Sequence, residues 1–297
     1  MIYDAKNTRR FVFVIVLSSL AASAFSQTTW FKYEGNPVLD VGPPGSWDAV
    51  WVIPSQVIVE NGLHKMWYSG FDGSTYRTGY ATSTDGGFTW KKHLAPVFNP
   101  SVHWERNAAW LPDVIRSDSR YRMWYGGAGS VIGYAWSADG VVWAKYVEKP
   151  VLEPGPSSAW DAGFISIPSI VGPDSRGQYK MWYNGLDKES NRMYIGYATA
   201  KDSITWTKHV NNPVFSPDTP GSWDDRRIQH PRVLYNEDLY EMWYAGMRSD
   251  IITDARIGQA TSPDGIHWTR SSANPVIEPG PPTSWDAGLG NSGQCSS

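Results

Sequence analysis

Met66-Trp67-Tyr68, then Gly79-Tyr80-Ala81-Thr82-Ser83, Asp85-Gly86 and Trp90, is the stretch that settles the architecture, because the chain repeats it. Met-Trp-Tyr returns at Met123, Met181 and Met242, at spacings of 57, 58 and 61 residues. Each copy sits in one larger unit. Asn-Pro and an apolar pair open it, a Gly/Pro/Ser stretch leads to Trp-Asp, and a Pro-containing apolar run precedes Met-Trp-Tyr. In the first unit the apolar runs 50–59, 65–68, 79–82 and 89–92 are separated by Asn61-Gly62, Asp72-Gly73 and Asp85-Gly86-Gly87. These turn dipeptides tolerate positive φ, so each unit reads as four short antiparallel strands. A repeat of that length built only of strands is a propeller blade. Gly or Pro interrupts nearly every window long enough for an amphipathic helix, so the expected class is all-β.

Four units are complete, and a fifth opens at Asn274-Pro275 and reaches Trp285-Asp286. Thr29-Trp30-Phe31-Lys32 resembles Thr205-Trp206-Thr207-Lys208, the last strand of a unit. The expectation is a five-bladed propeller over residues 27–297 whose fifth blade is truncated and whose first strand-like segment closes the ring. A four-bladed ring with loose ends is the alternative.

Residues 1–26 read as a secretory leader: Lys6, Arg9 and Arg10 precede the apolar run 11–20 and the small residues Ala22-Ser23-Ala24. That run is too short to span a bilayer. Removing the leader takes away three positive charges and one negative, moving the formal charge from −3 to −5. An acidic exported chain is a poor partner for nucleic acid or anionic membrane. The expected product is a secreted or periplasmic monomer. One cysteine, Cys295, excludes an intrachain disulfide framework. The histidines lack metal-ligand spacing and no phosphate loop is present, so no metal or cofactor is expected.

Fourteen of the seventeen tryptophans recur in register with the repeat and are expected to pack blades together. Trp51, Trp110 and Trp136 break the pattern, and Trp51 and Trp110, just before a Pro of the first strand, are stacking candidates for a sugar ring. An acid also recurs after each loop: Asp48, Glu105, Asp161, Asp224 and Asp286. If these acids ring the axis, mutual repulsion raises one pKa into the range of a general acid; otherwise each caps its own loop. Departures from the repeat sharpen the choice. Asp113 and Arg232 stand where two other blades have Ser55 and Ser169, and Asp225-Arg226-Arg227-Ile228-Gln229-His230 leads into the fourth blade. Buried arginines need partners, so they either face a carboxylate-lined mouth or neutralise acids.

The units resemble the five-bladed arabinanase/levansucrase/invertase-type propellers, which include glycoside hydrolase families 32, 43, 62, 68 and 130, over residues 30 to about 290. The resemblance carries the fold and implies a glycosidase with inner-strand acids, one of them an Asp directly before a first-blade Pro. Here the residues preceding the prolines are Ile53, Leu111, Ile167 and His230. Ser83-x-Asp85-x-Gly87-x-x-Trp90 is similar to the Asp-box of sialidases, a turn staple, while the sialidase Arg-Ile-Pro signature is missing. The expected activity is a secreted glycoside hydrolase working on a poly- or oligosaccharide with two carboxylates. Asp48 is the candidate base and Glu105 the candidate acid, with Asp161 and Asp225 orienting. Trp51, Trp110, Asp113, Arg226, Arg227, His230 and Arg232 are the candidate substrate set. A non-catalytic glycan-binding propeller and a purely structural one are the alternatives.

Overall fold

The computed structural model describes residues 30–236, 238–248, 254–281 and 283–287. The leader expected over 1–26 lies outside the described residues, as does Cys295. Among the described residues the regular elements are strands and a 3-10 turn at His103–Glu105. The first blade is β1 (Trp51–Glu60), β2 (Leu63–Phe71), β3 (Tyr76–Ser83) and β4 (Lys91–Lys92). The second is β5 (Ala109–Ser117), β6 (Arg120–Gly127), β7 (Val131–Ser137) and β8 (Trp143–Lys145). The third is β9 (Phe164–Val171), β10 (Tyr179–Leu186), β11 (Met193–Ala200) and β12 (Thr207–Lys208), and the fourth is β13 (Arg227–Asn236), β14 (Leu239–Met247), β15 (Arg256–Ser262) and β16 (Thr269–Arg270). Each is an antiparallel meander in sequence order, and a single parallel pair, Met193 with Arg227, links the third sheet to the fourth.

The repeat residues act as the periodicity requires. Trp67 and Tyr80 of the first blade pack on Val114, Tyr121, Met123 and Tyr125 of the second. Trp124 with Tyr134, and Trp182 with Tyr197, do the same one blade further on. Each of these indoles also crosses to the next blade: Trp67 Nε1 donates to Gly140 O at 2.8 Å, Trp124 Nε1 to Ser203 O at 3.0 Å and Trp182 Nε1 to Gly265 O at 2.7 Å. The acceptors lie in the turns before the outer strands, two of them Ser-x-Asp and the third Ala200-Lys201-Asp202, and these turns hold themselves together as expected. In the corresponding turn of the first blade, Ser83 Oγ accepts the Gly87 amide, Asp85 Oδ1 accepts those of Phe88 and Thr89, and Trp90 Nε1 donates to Gly87 O.

Innermost strands carry unpaired edge amides, and buried amides require partners. The preceding blade supplies them. Ser69 Oγ accepts Leu111 N at 2.7 Å, Asn184 Oδ1 accepts His230 N at 2.8 Å, and Ser169 Oγ accepts Val233 N at 3.0 Å. The proline of each first strand coincides with a bulge, where the ladder register shifts. In three blades the residue before that proline adopts positive φ: 49° at Leu111, 54° at Ile167 and 56° at His230. Ile53, Leu111 and Ile167 meet with Trp51 in one apolar cluster, so the inner strands converge there.

Of the fifth blade the described residues hold the first loop, and the segment 30–33, outside any strand, lies where the other blades have their last strand. Trp30 lies edge-on to Trp243 at 6.2 Å and 90°, matching Trp143 on Trp67 (6.3 Å, 80°), Trp206 on Trp124 (6.0 Å, 84°) and Trp268 on Trp182 (6.1 Å, 80°). Lys32 pairs with Asp286, 254 residues away, and Tyr33 packs on Phe88 of the first blade. Residues 30–33 therefore bridge the fourth blade, the fifth-blade loop and the first blade. Trp243 Nε1, the counterpart of those three donors in the fourth blade, is buried without a hydrogen-bond partner.

That contrast yields a stability prediction. Trp124→Phe removes a buried interblade hydrogen bond and strands a carbonyl, whereas Trp243→Phe removes only ring area. Urea denaturation is expected to show Trp124→Phe the more destabilised by ~1–3 kcal/mol; equal losses would deny the indole bond its role.

Candidate functional site

Each repeat acid lies in the loop directly before an inner strand, and each is bound inside its own blade. Asp48 accepts Lys92 Nζ at 2.7 Å and the Tyr68 hydroxyl at 3.3 Å. Glu105 accepts Lys145 Nζ at 2.6 Å, the Tyr125 hydroxyl at 2.6 Å, and the amides of Ser101 and Val102. Asp161 accepts Lys208 Nζ at 2.6 Å, the Tyr183 hydroxyl at 3.4 Å and the Gly155 amide. Asp224 accepts Arg270 Nε and the Tyr244 hydroxyl, both at 3.0 Å. The tyrosine is the last residue of Met-Trp-Tyr, and the cation stands two residues after the outer tryptophan. Burial and the adjacent carboxylate push the hydroxyl pKa of Tyr68, Tyr125, Tyr183 and Tyr244 upward, so these tyrosines stay neutral donors. The acid, the cation and the tyrosine tie the entry loop to the second and fourth strands.

The sequence left two readings of these acids open, one around a common opening and one with each acid holding its own loop, and these bonds are those of the second. No acid shares a partner with another, and each charge is compensated where it stands. The signal was legible: Lys32, Lys92, Lys145, Lys208 and Arg270 recur with the same period as the acids. Asp225, the second acid of the fourth loop, accepts the Gly221 amide at 2.6 Å through Oδ2, and its carbonyl accepts Arg192.

Two groupings of candidate residues do converge. Trp51 and Trp110 approach at 6.2 Å between ring centroids, with Tyr76 at 4.5 Å from Trp110 and Phe71 stacked on Tyr76 at 4.2 Å. Trp51 is buried against the axial cluster, while Trp110 is partly exposed beside it. Gly126 makes room for the Trp110 ring, whose Nε1 lies 3.0 Å from where a Cβ would stand. Trp136, the third irregular tryptophan, stacks on Tyr134 away from that group.

The second grouping is a carboxyl and a guanidinium from blades that are not neighbours. Asp113 on β5 accepts Ile170 N of β9 through Oδ2 at 2.6 Å, the same duty that Ser169 performs for Val233. Its other oxygen, Oδ1, accepts Arg232 Nη1 of β13 at 2.8 Å. The pair passes over the third blade, and Asp113 is 3% exposed. Burial pushes the Asp113 carboxyl up to about 6, against the opposing pull of Arg232 and the Ile170 amide. Two residues before Arg232, the His230 backbone is held by Asn184, and Nδ1 of its partly exposed ring is enclosed without a partner. Burial, with Arg232 adding to it, holds that imidazole well below the usual histidine pKa, hence neutral. Arg227 bonds Asn191 at 3.0 Å, and Arg226 enters the fourth blade through its amide on Met247 O. Among the described residues no group of three metal-ligating side chains comes together, and no helix is long and apolar enough to cross a membrane.

No family model matches the chain. Over 156 residues it is 32% identical to an uncharacterised protein of Mycobacterium tuberculosis, covering 50% of this chain and 49% of that one. A 1,2-beta-oligomannan phosphorylase of Thermoanaerobacter is 28% identical over 129 residues, covering 41% and 42%. The chain spans about half the length of the curated relatives it matches or less. Among solved structures, a member of the GH130 family of mannoside phosphorylases, which contains hydrolases of beta-1,2 mannosidic linkages, superposes with a TM-score of 0.65 at 20% identity, covering 86% of this chain and 84% of that one. At that identity the likeness carries the fold alone: the protein is an all-β propeller.

The anchors give a direct test. Lys145→Met leaves Glu105 buried and unpaired and is expected to cost ~3–5 kcal/mol. Replacing both residues with apolar ones of similar volume is expected to recover most of that loss in thermal unfolding.

Proposed function

We propose that the protein is an exported carbohydrate-active enzyme that cleaves a glycosidic bond in an oligosaccharide, with Asp113 as the proton donor. The observation that supports this is the Asp113 carboxyl itself. It is the only inner-strand acid among the described residues held apart from a loop anchor or a strand-end ion pair. Glu60, the other acid on an inner strand, ends β1 in a cluster with Lys65, Arg116 and Tyr121. A carboxyl raised to about 6 keeps its proton in mildly acidic solution, which a general acid toward a leaving sugar oxygen requires. Trp110, supported by Trp51, supplies an aromatic surface for a pyranose ring, and His230 with Gln229 the polar edge for its hydroxyls. Asp48, Glu105 and Asp161, engaged in their anchors, serve the scaffold in this scheme.

Hydrolysis calls for a second carboxylate to activate water or attack the sugar. Glu60, the one other acid on a described inner strand, is held in its strand-end cluster, while the fourth blade presents Arg227, His230 and Arg232. An anionic nucleophile needs no second carboxylate, so inorganic phosphate fits the site better than water, in keeping with the phosphorylase relative.

The test is incubation of the protein, with and without inorganic phosphate, on a panel of mannose-containing and other oligosaccharides, with free reducing sugar and sugar phosphate measured separately. Sugar phosphate formed only with phosphate supports phosphorolysis, and free sugar in both supports hydrolysis. Asp113→Asn is expected to lower turnover ~10²–10⁴-fold, and wild-type activity is expected to fall as pH rises through about 6. Glycan binding without any product would leave the non-catalytic binder standing.

A further inference from the structure

Asp113 and Arg232 occupy equivalent places in their blades, the residue after the inner-strand proline, and the other two blades put Ser55 and Ser169 there. The serines make short local bonds: Ser55 Oγ to Ile53 O, and Ser169 Oγ to the next inner strand. A carboxyl at that place satisfies the neighbouring amide with one oxygen and has a second oxygen left over, which its own blade does not engage. Arg232 meets that oxygen from across the axis. Its side chain is 25% exposed while that of Asp113 is 4% exposed.

We infer that Arg232 is the positioning residue of Asp113: it reaches over the third blade to fix the free oxygen of the carboxyl and sets the protonation state in which that carboxyl waits. The role presupposes that Asp113 is the acid of glycosidic cleavage, but the coupling itself does not need turnover to be seen. The other charged groups of β5 and those of the first-blade strands packed on it are engaged with one another, Arg116 and Lys65 with Glu60 and Arg77 with Asp72. β9 reads Phe-Ile-Ser-Ile-Pro-Ser-Ile-Val and has no titratable side chain. On β13 the remaining groups are the neutral His230 and Arg227, which is bonded to Asn191. On β6, Arg122 is engaged with Ser117, Tyr134 and Ser203. Arg232 therefore supplies the opposing charge.

Two readouts on wild type, Arg232→Met, Arg232→Lys and Asp113→Asn test this. Removing a cation makes a carboxyl easier to protonate, so the high-pH limb of activity is expected to move up by ~1–3 pH units in Arg232→Met, and Arg232→Lys is expected to restore it largely. The second readout is thermal stability against pH. A carboxyl whose folded pKa exceeds its unfolded value gives up stability as pH rises from the unfolded value of 3.8 to about 6. Wild type is expected to show that decline relative to Asp113→Asn, and Arg232→Met is expected to extend it to higher pH. If Arg232→Met does not fold, rescue by Asp113→Asn in the same chain supports the pairing and failure to rescue counts against it. Arg232→Met titrating like wild type in both readouts overturns the role. Asp113→Asn keeping full turnover while the stability effect persists refutes the acid assignment alone.

Discussion

A buried carboxylate in the loop before each inner strand, neutralised by a cation on the outermost strand and a tyrosine on the second, is the interaction on which this propeller depends. A buried ion pair is a weak source of net stability, because desolvation cancels much of the attraction, but its removal on one side leaves an intolerable charge. Such a pair is therefore better at specifying an arrangement than at strengthening it. Here it specifies that the loop entering a blade lies over the end of the same blade. Lys145, under the Glu105 carboxylate and facing the rings of Phe98 and Tyr125, shows how completely the charge is enclosed.

The same device acts between the two ends of the described chain. Lys32 and Asp286 form the fifth version of the pair, and Trp30 takes the place against Trp243 that outer-strand tryptophans take in every other interface. Ring closure in a propeller is a loop-closure problem, since the first and last blades meet only after everything between them has formed. Placing residues 30–33 from the beginning of the chain against the fifth-blade loop and the fourth blade converts that closure into an ordinary blade contact. The Trp243 indole, counterpart of the interblade donors of the other blades, is buried without a hydrogen-bond partner.

Repetition explains why chemistry is to be sought where the repeat fails. Whatever occurs in all blades answers a need all blades share, and the acids, the tryptophans and the Asp of each outer turn are of that kind. Asp113, Arg232 and His230 answer needs of single blades. Asp113 keeps the structural duty of its serine counterpart toward Ile170 and adds a charge, and that addition has no scaffold explanation except the arginine that meets it.

The strand order, the blade count, the turn staples and the tryptophan packing were legible in the chain because each is set by residues close in sequence and repeated with one period. The partners of the repeat acids were also written there, as a cation two residues after each outer tryptophan, but pairing them requires knowing that the fourth strand returns beside the entry loop. Periodicity alone placed Asp48, Glu105 and Asp161 near inner strands; whether they faced the axis or their own blade was a matter of side-chain direction. Only the tertiary structure could decide that Asp113 meets Arg232. The two are 119 residues apart and in blades that do not touch in sequence order, and their contact arises from the curvature that brings alternate inner strands to face each other across an axis.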